Sequence, residues 1–240
     1  MADTVGWRGI FVVLLVIGAG MYLWSRRMPE SLPSERRIKG KGLGEYLSAY
    51  AGLLRNGRFM IYVLLKAIGI GLLYAYISSA PFIIQDHYGF TAMEFGLIFG
   101  ANALAIGLGS IWVMKFKLIK NGLVSGALLM VVFALSEAYV MYIHGHFGFY
   151  EAAAIPMLVG CGMVFSSANS LGMDVGSADA GTASAIINVV KYIFAAIVAP
   201  IVGLGDIMHS SACTFTAVAV IALVLAILAS RMKPLQDMIE

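Results

Sequence analysis

The sequence predicts an all-α membrane protein with seven transmembrane helices: one helix, a basic hydrophilic segment, then six helices in quick succession. Three observations lead there. Hydrophobic residues fill 60% of the 240 positions, charged residues 12%, and the mean hydropathy is +0.89, which excludes an ordinary soluble domain. Apolar stretches occupy 9–25, 59–84, 92–114, 119–143, 152–172, 182–205 and 211–230. Each is about long enough to cross a ~30 Å hydrocarbon layer as a helix. The chain also carries 27 glycines, which suits helices that pack closely in lipid.

The first stretch, within residues 1–25, reads as a retained helix. Its positive residues, Arg26 and Arg27, follow the apolar run, which is the reverse of a secretory signal. Residues 26–58 form a basic linker. Pro29, Pro33, Gly40, Gly42 and Gly44 loosen its backbone. From Leu43 onward Tyr46, Leu47, Tyr50, Leu53 and Leu54 recur at three- and four-residue steps, predicting a short amphipathic helix or a partly ordered linker. A helix there, ending on Arg55 and Arg58, suits the headgroup layer. Residues 59–240 form the six-helix bundle. Its short connections force successive helices to be antiparallel neighbours.

Charge placement orients the chain. Most of the 16 Lys and Arg residues follow the first span, or lie between the third and fourth (Lys115, Lys117, Lys120), or at the end (Arg231, Lys233). The positive-inside rule makes those segments cytoplasmic, the N-terminus external and the C-terminus cytoplasmic. The net charge of +3 is not a nucleic-acid signal, and the hydropathy makes a lipid bilayer the expected partner. Cys161 and Cys213 fall in or at spans and imply no disulfide framework.

Ionisable groups inside spans are functional-site candidates by default. Lys191 lies ~13 Å into the sixth span, close to the midplane. Asn188, one turn earlier, joins it in offering a cation and an amide to a polar cavity. Asn102 and Asn169 extend that polar track, with interhelical packing as the plainer role for each. Lys66 lies near the cytoplasmic third of its span, from where its stem can snorkel. Glu137, deeper in its span than Glu94, is the candidate proton carrier; Glu94 suits a helix N-terminus. Pro81 and Pro200, late in their spans, are candidate kinks in a gate or static bends. Gly96/Gly100 and Gly122/Gly126 are small-residue pairs that predict close crossings. His144 and His146 are too sparse a pattern for a metal, and no motif for ATP hydrolysis or nucleophilic catalysis is present. No enzyme activity, cofactor or metal is expected.

Particular strings then resemble a known family. Gly6-Trp7-Arg8-Gly9-Ile10-Phe11 and Arg27-Met28-Pro29-Glu30-Ser31-Leu32-Pro33 resemble the sixth helix and following loop of Bcr/CflA-type drug:proton antiporters of the major facilitator superfamily. Ser79-Ala80-Pro81-Phe82 with Tyr88-Gly89-Phe90 resembles their seventh helix and its outer turn. Phe95-Gly96-Leu97 with Asn102-Ala103-Leu104 resembles the eighth, and Gly181-Thr182-Ala183-Ser184-Ala185 the start of the eleventh. The resemblance implies helices six to twelve of a twelve-helix exporter in a bacterial inner membrane. On that reading the first span is helix six and residues 59–240 are the C-terminal bundle. A six-helix N-terminal half, or a second copy, is then the missing partner, and proton antiport the implied drive. Lys191 stands where that family more often has a neutral polar residue, which disfavours cationic cargo and favours anionic or zwitterionic cargo. Two rivals stay open: a seven-helix receptor or photoreceptor, and a truncated chain that transports nothing alone.

Overall fold

The computed structural model describes residues 2–28 and 43–232; the linker prolines and the bases Arg36, Arg37, Lys39, Lys41 and Lys233 lie outside them. Those residues fall in two units, 1–42 and 43–240. In the first, α1 (Ala2–Ser25) is a single long helix. The second begins with α2 (Leu43–Arg55), followed by α3 (Gly57–Pro81), α4 (Ala92–Trp112), α5 (Ile119–Tyr142), α6 (Phe147–Val175), α7 (Ala180–Ile201) and α8 (Ile207–Ser230). No strand occurs among the described residues. Seven helices, α1 and α3 to α8, are long and apolar enough to cross a membrane.

Local chemistry sets the helix starts. The Asn56 side chain accepts the amides of Arg58 and Phe59 and opens α3. Thr91 and Glu94 form a reciprocal capping box at α4, the terminal role expected of Glu94. His146 Nδ1 and Asp206 Oδ1 cap α6 and α8. Two span boundaries shift because of prolines. Pro81 ends α3 and hands the chain to a single wide turn, Phe82–His87. Proline has no amide to give, so the four-residue ladder cannot continue through it. Pro200 sits one residue from the end of α7. Pro200 thus stands at a helix end, Pro81 marks a switch from α-helix to a wider turn inside one span, Gly57–His87, and Pro156 lies well inside α6.

Within 43–240 the principal helix pairs are α3 with α6, α7 and α8, α6 with α4 and α5, and α5 with α8. Exchanging α3-α4-α5 for α6-α7-α8 leaves that set of pairs unchanged. The two triplets begin at opposite ends of the bundle, so they form an inverted repeat. α3 and α6 are central: 56% of the residues in each apolar window are buried, against 22% in α4 and in α7.

Glycines set the crossings, only partly at the expected pairs. A Cβ on Gly109 would lie 2.1 Å from the Val159 carbonyl oxygen, and one on Gly162 2.2 Å from that of Ile106, so α4 and α6 touch backbone to backbone. Gly126 and Gly160 do the same for α5 and α6. Gly96 and Gly100, expected at a crossing, have nothing within 4 Å of a built Cβ. They lie on the side of α4 that the bundle does not cover.

One end of the bundle carries Arg55, Arg58, Lys115, Lys117, Lys120 and Arg231; the other carries His87, His144, His146 and His209. These are called the basic end and the histidine end. α2, the helical one of the two readings left open from Leu43, packs at the basic end. Leu53 meets the Phe59–Val63 cluster, while Leu47, Tyr50 and Leu54 stay exposed.

Candidate functional site

Two polar groups lie within the span depth of the bundle, one on an open face and one sealed inside.

The open group is built on α3, α6 and α7. Lys66 lies ~13 Å along α3 from its basic-end start. Its Nζ donates a 3.0 Å hydrogen bond to Oδ1 of Asn169 on α6, and lies 5.5 Å from the Phe165 ring centroid. Lys191, ~16 Å along α7, places its Nζ 4.6 Å from the ring centroid of Tyr192. The Tyr192 ring in turn meets Tyr74 of α3 edge-on at 6.5 Å. The two ammonium groups are near enough to repel each other. Among the described residues, neither lysine has a carboxylate within salt-bridge reach. Aromatic faces and an amide oxygen soften two positive charges but do not neutralise them.

The sealed group lies nearer the histidine end. Glu137 of α5 is completely buried, and neither of its carboxyl oxygens has a hydrogen-bond partner. Glu151, on the first turns of α6, is half-buried, and its Oε2 is likewise sealed and unpartnered. Tyr150, also fully buried, approaches Glu137, but no hydrogen bond of normal geometry closes between them. Asn102 of α4 donates from Nδ2 to the Tyr76 hydroxyl of α3 at 2.7 Å and approaches Glu151, while its Oδ1 is unpartnered. Tyr88, just beyond α3, donates to the Gly145 carbonyl at 3.1 Å. Burial, and after it the Glu137 carboxyl, push the Tyr88 hydroxyl above its ordinary value.

The predicted residues therefore divide. Lys191 and Asn169 share the open face. Asn188 lies on that side of α7 and is exposed, with its amide turned back onto the Ser184 carbonyl at 2.8 Å. Asn102 is not on the open face: it is 1% exposed and belongs with the sealed group. Two residues outside the predicted set complete the picture. Lys66, a residue whose stem could equally snorkel, bonds a residue 103 positions away. Its depth was the available signal, since α3 starts two residues earlier than the apolar run. Glu151 reads in sequence as the end of a loop; α6 starts at Phe147 and carries it inside.

A groove of about 680 Å³ is elsewhere. It lies between α5 and α6, lined by Phe133, Leu135, Val140, Ile143 and Phe149 among others. That lining is apolar, as expected of a surface that meets acyl chains.

The sequence matches the family description Major Facilitator Superfamily over residues 1–200. It is 32% identical over 204 residues to the uncharacterized MFS-type transporter YdgK of Bacillus subtilis (strain 168). That alignment covers 83% of this chain and 50% of the relative, so the chain spans about half the length of the protein it matches.

Proposed function

Because the chain belongs to the major facilitator superfamily, a family of membrane transporters, we propose that it supplies the C-terminal half of a small-molecule exporter whose cargo is anionic or zwitterionic. The observation that carries this reading is the pair Lys66 and Lys191. Both stand within the span depth on one face, Lys191 near its middle and Lys66 about a third of the way in; both lack a carboxylate partner among the described residues, and lipid cannot cover that face at tolerable cost. Such a face belongs against water and a second polar surface. A six-helix N-terminal half or a second copy of this chain supplies that surface, and the substrate binds between the two. Asn169 and Asn188 add amide groups beside the lysines, and Tyr74 and Tyr192 add an aromatic wall.

The finer features follow from the same reading. The basic end faces the cytoplasm by the positive-inside rule, the N-terminus lies outside and the C-terminus inside a bacterial inner membrane. Proton antiport of the Bcr/CflA kind supplies the drive, with Glu137 as proton carrier. The family supports a carrier over the receptor or photoreceptor alternative.

The test is dye efflux from cells expressing the chain with and without a co-expressed six-helix N-terminal half. Efflux of an anionic aromatic dye is expected only with both halves, and Lys66→Gln with Lys191→Gln should abolish it. Equal efflux of a matched cationic dye, or efflux by the isolated monomeric chain, would overturn the reading.

A further inference from the structure

Glu137 and Glu151 stand at the same level of the α5–α6 hairpin, ~6–8 Å in from its turn at ~1.5 Å per residue. Five polar oxygens there are buried without a hydrogen-bond partner: both oxygens of Glu137, Oε2 of Glu151, the Tyr150 hydroxyl and Oδ1 of Asn102. Buried polar groups are normally satisfied, so a cluster of this size is a place where a proton on one carboxyl would be stabilised. Four of the five oxygens can only accept when the carboxyls are ionised, so protonating one carboxyl supplies the donor that the others can use. Two adjacent negative charges in a low-dielectric interior also repel strongly.

We propose that Glu137 and Glu151 form one proton-binding carboxyl pair inside the bundle, in which Glu151 exchanges with water and Glu137 stores the proton. Glu151 is partly exposed while Glu137 is fully sealed, and that difference assigns the roles. A proton from water binds a Glu151 carboxylate oxygen. Transfer to Glu137 then breaks that O–H bond, forms one on Glu137, and returns Glu151 to the carboxylate. The stored proton donates to an orphaned oxygen of the cluster.

Among the described residues, the side chains that face the pair from the neighbouring helices are neutral. α3 and its following turn contribute Tyr76 and Tyr88, α4 contributes Asn102, and α6 contributes Tyr150. At that level α8 brings Ser211 and Thr214, which do not titrate, and its His209 is turned outward onto Asp206. Among the described residues, no lysine, arginine or histidine reaches either carboxyl in a salt bridge. The proposal deepens the proton-antiport reading, on which its use in transport rests, by giving the proton a place in this half.

The test is infrared spectroscopy of the detergent-purified full chain carrying isotope-labelled glutamate, titrated with pH. Wild type should keep a protonated-carboxyl stretch at neutral pH, and Glu137→Gln should remove it. In Glu151→Gln the stretch should survive with its midpoint moved by about one pH unit or more, as for coupled sites. Carboxylate bands alone in wild type at neutral pH, including bands that move with sodium, would overturn the pair. So would a stretch that Glu137→Gln leaves in place, or a midpoint unchanged in Glu151→Gln. The wild-type and Glu151→Gln measurements decide the matter even if Glu137→Gln does not fold. If the band behaves as stated while flux through the assembled transporter ignores a proton gradient, the antiport reading falls and the pair stands. Gradient-driven flux with no protonated band removes the pair and leaves antiport.

Discussion

Lys66 on α3 and Asn169 on α6 are joined by a 3.0 Å hydrogen bond across the two central helices of the bundle. The bond fixes an ammonium group on an open face beside a second ammonium, Lys191. Lys66→Ala and Asn169→Ala should therefore couple in a double-mutant cycle by about 1 kcal/mol, the range of a partly exposed charge-assisted bond. Denaturant unfolding of the purified chain in detergent measures it. Strict additivity of the two substitutions would mean that the bond contributes nothing.

Gly109 and Gly162 should be the most sensitive small residues in the bundle. A methyl group at either meets a backbone carbonyl of the facing helix, and backbone cannot move aside as a side chain can. Alanine at either position should lower stability by about 1–3 kcal/mol, while Gly96→Ala should leave bundle stability unchanged. Thermal unfolding in detergent compares the three, and equal tolerance would show that α4 and α6 do not touch as described.

Tyr76→Phe should destabilise the bundle by about 1–3 kcal/mol, because Asn102 Nδ2 then loses its buried partner. Adding Asn102→Leu to Tyr76→Phe should recover part of that loss by removing the orphaned amide. A double variant as weak as the sum of the two single variants would contradict the pairing.

The seven spans and their α-helical class were legible in sequence, because each rests on a local signal, and α2 was legible as one of two readings. Apolar length sets the spans, and three- and four-residue steps from Leu43 set α2. Thr91 and Glu94 are three residues apart, so a capping box is equally local. The polar groups were only partly legible. Depth alone singled out Lys191, and isolation in an apolar run singled out Glu137. The Lys66–Asn169 bond and the approach of Asn102 to Glu151 depend on which faces of α3, α4 and α6 meet. Periodicity gives no such information where a helix is apolar on nearly every side. The glycine pairs show the same limit. Gly126 meets a helix and Gly96 does not, although both sit in the same four-residue spacing.

The proposed orientation predicts which end an impermeant thiol reagent reaches in intact cells. In a Cys213→Ala background, with Cys161 buried, Asp86→Cys at the histidine end should react from outside. Lys117→Cys at the basic end should react only after the membrane is permeabilised. The opposite pattern would invert the topology.

The most direct measurement of the central claim is binding of matched anionic and cationic aromatic dyes, by equilibrium dialysis, to membranes carrying this chain with an N-terminal half. The anionic dye should bind more tightly than its cationic counterpart. Its affinity should fall about tenfold or more in Lys66→Gln with Lys191→Gln, the equivalent of ~1.4 kcal/mol. An unchanged affinity in that double variant, or a wild-type preference for the cationic dye, would contradict the assignment of the two lysines to the substrate wall.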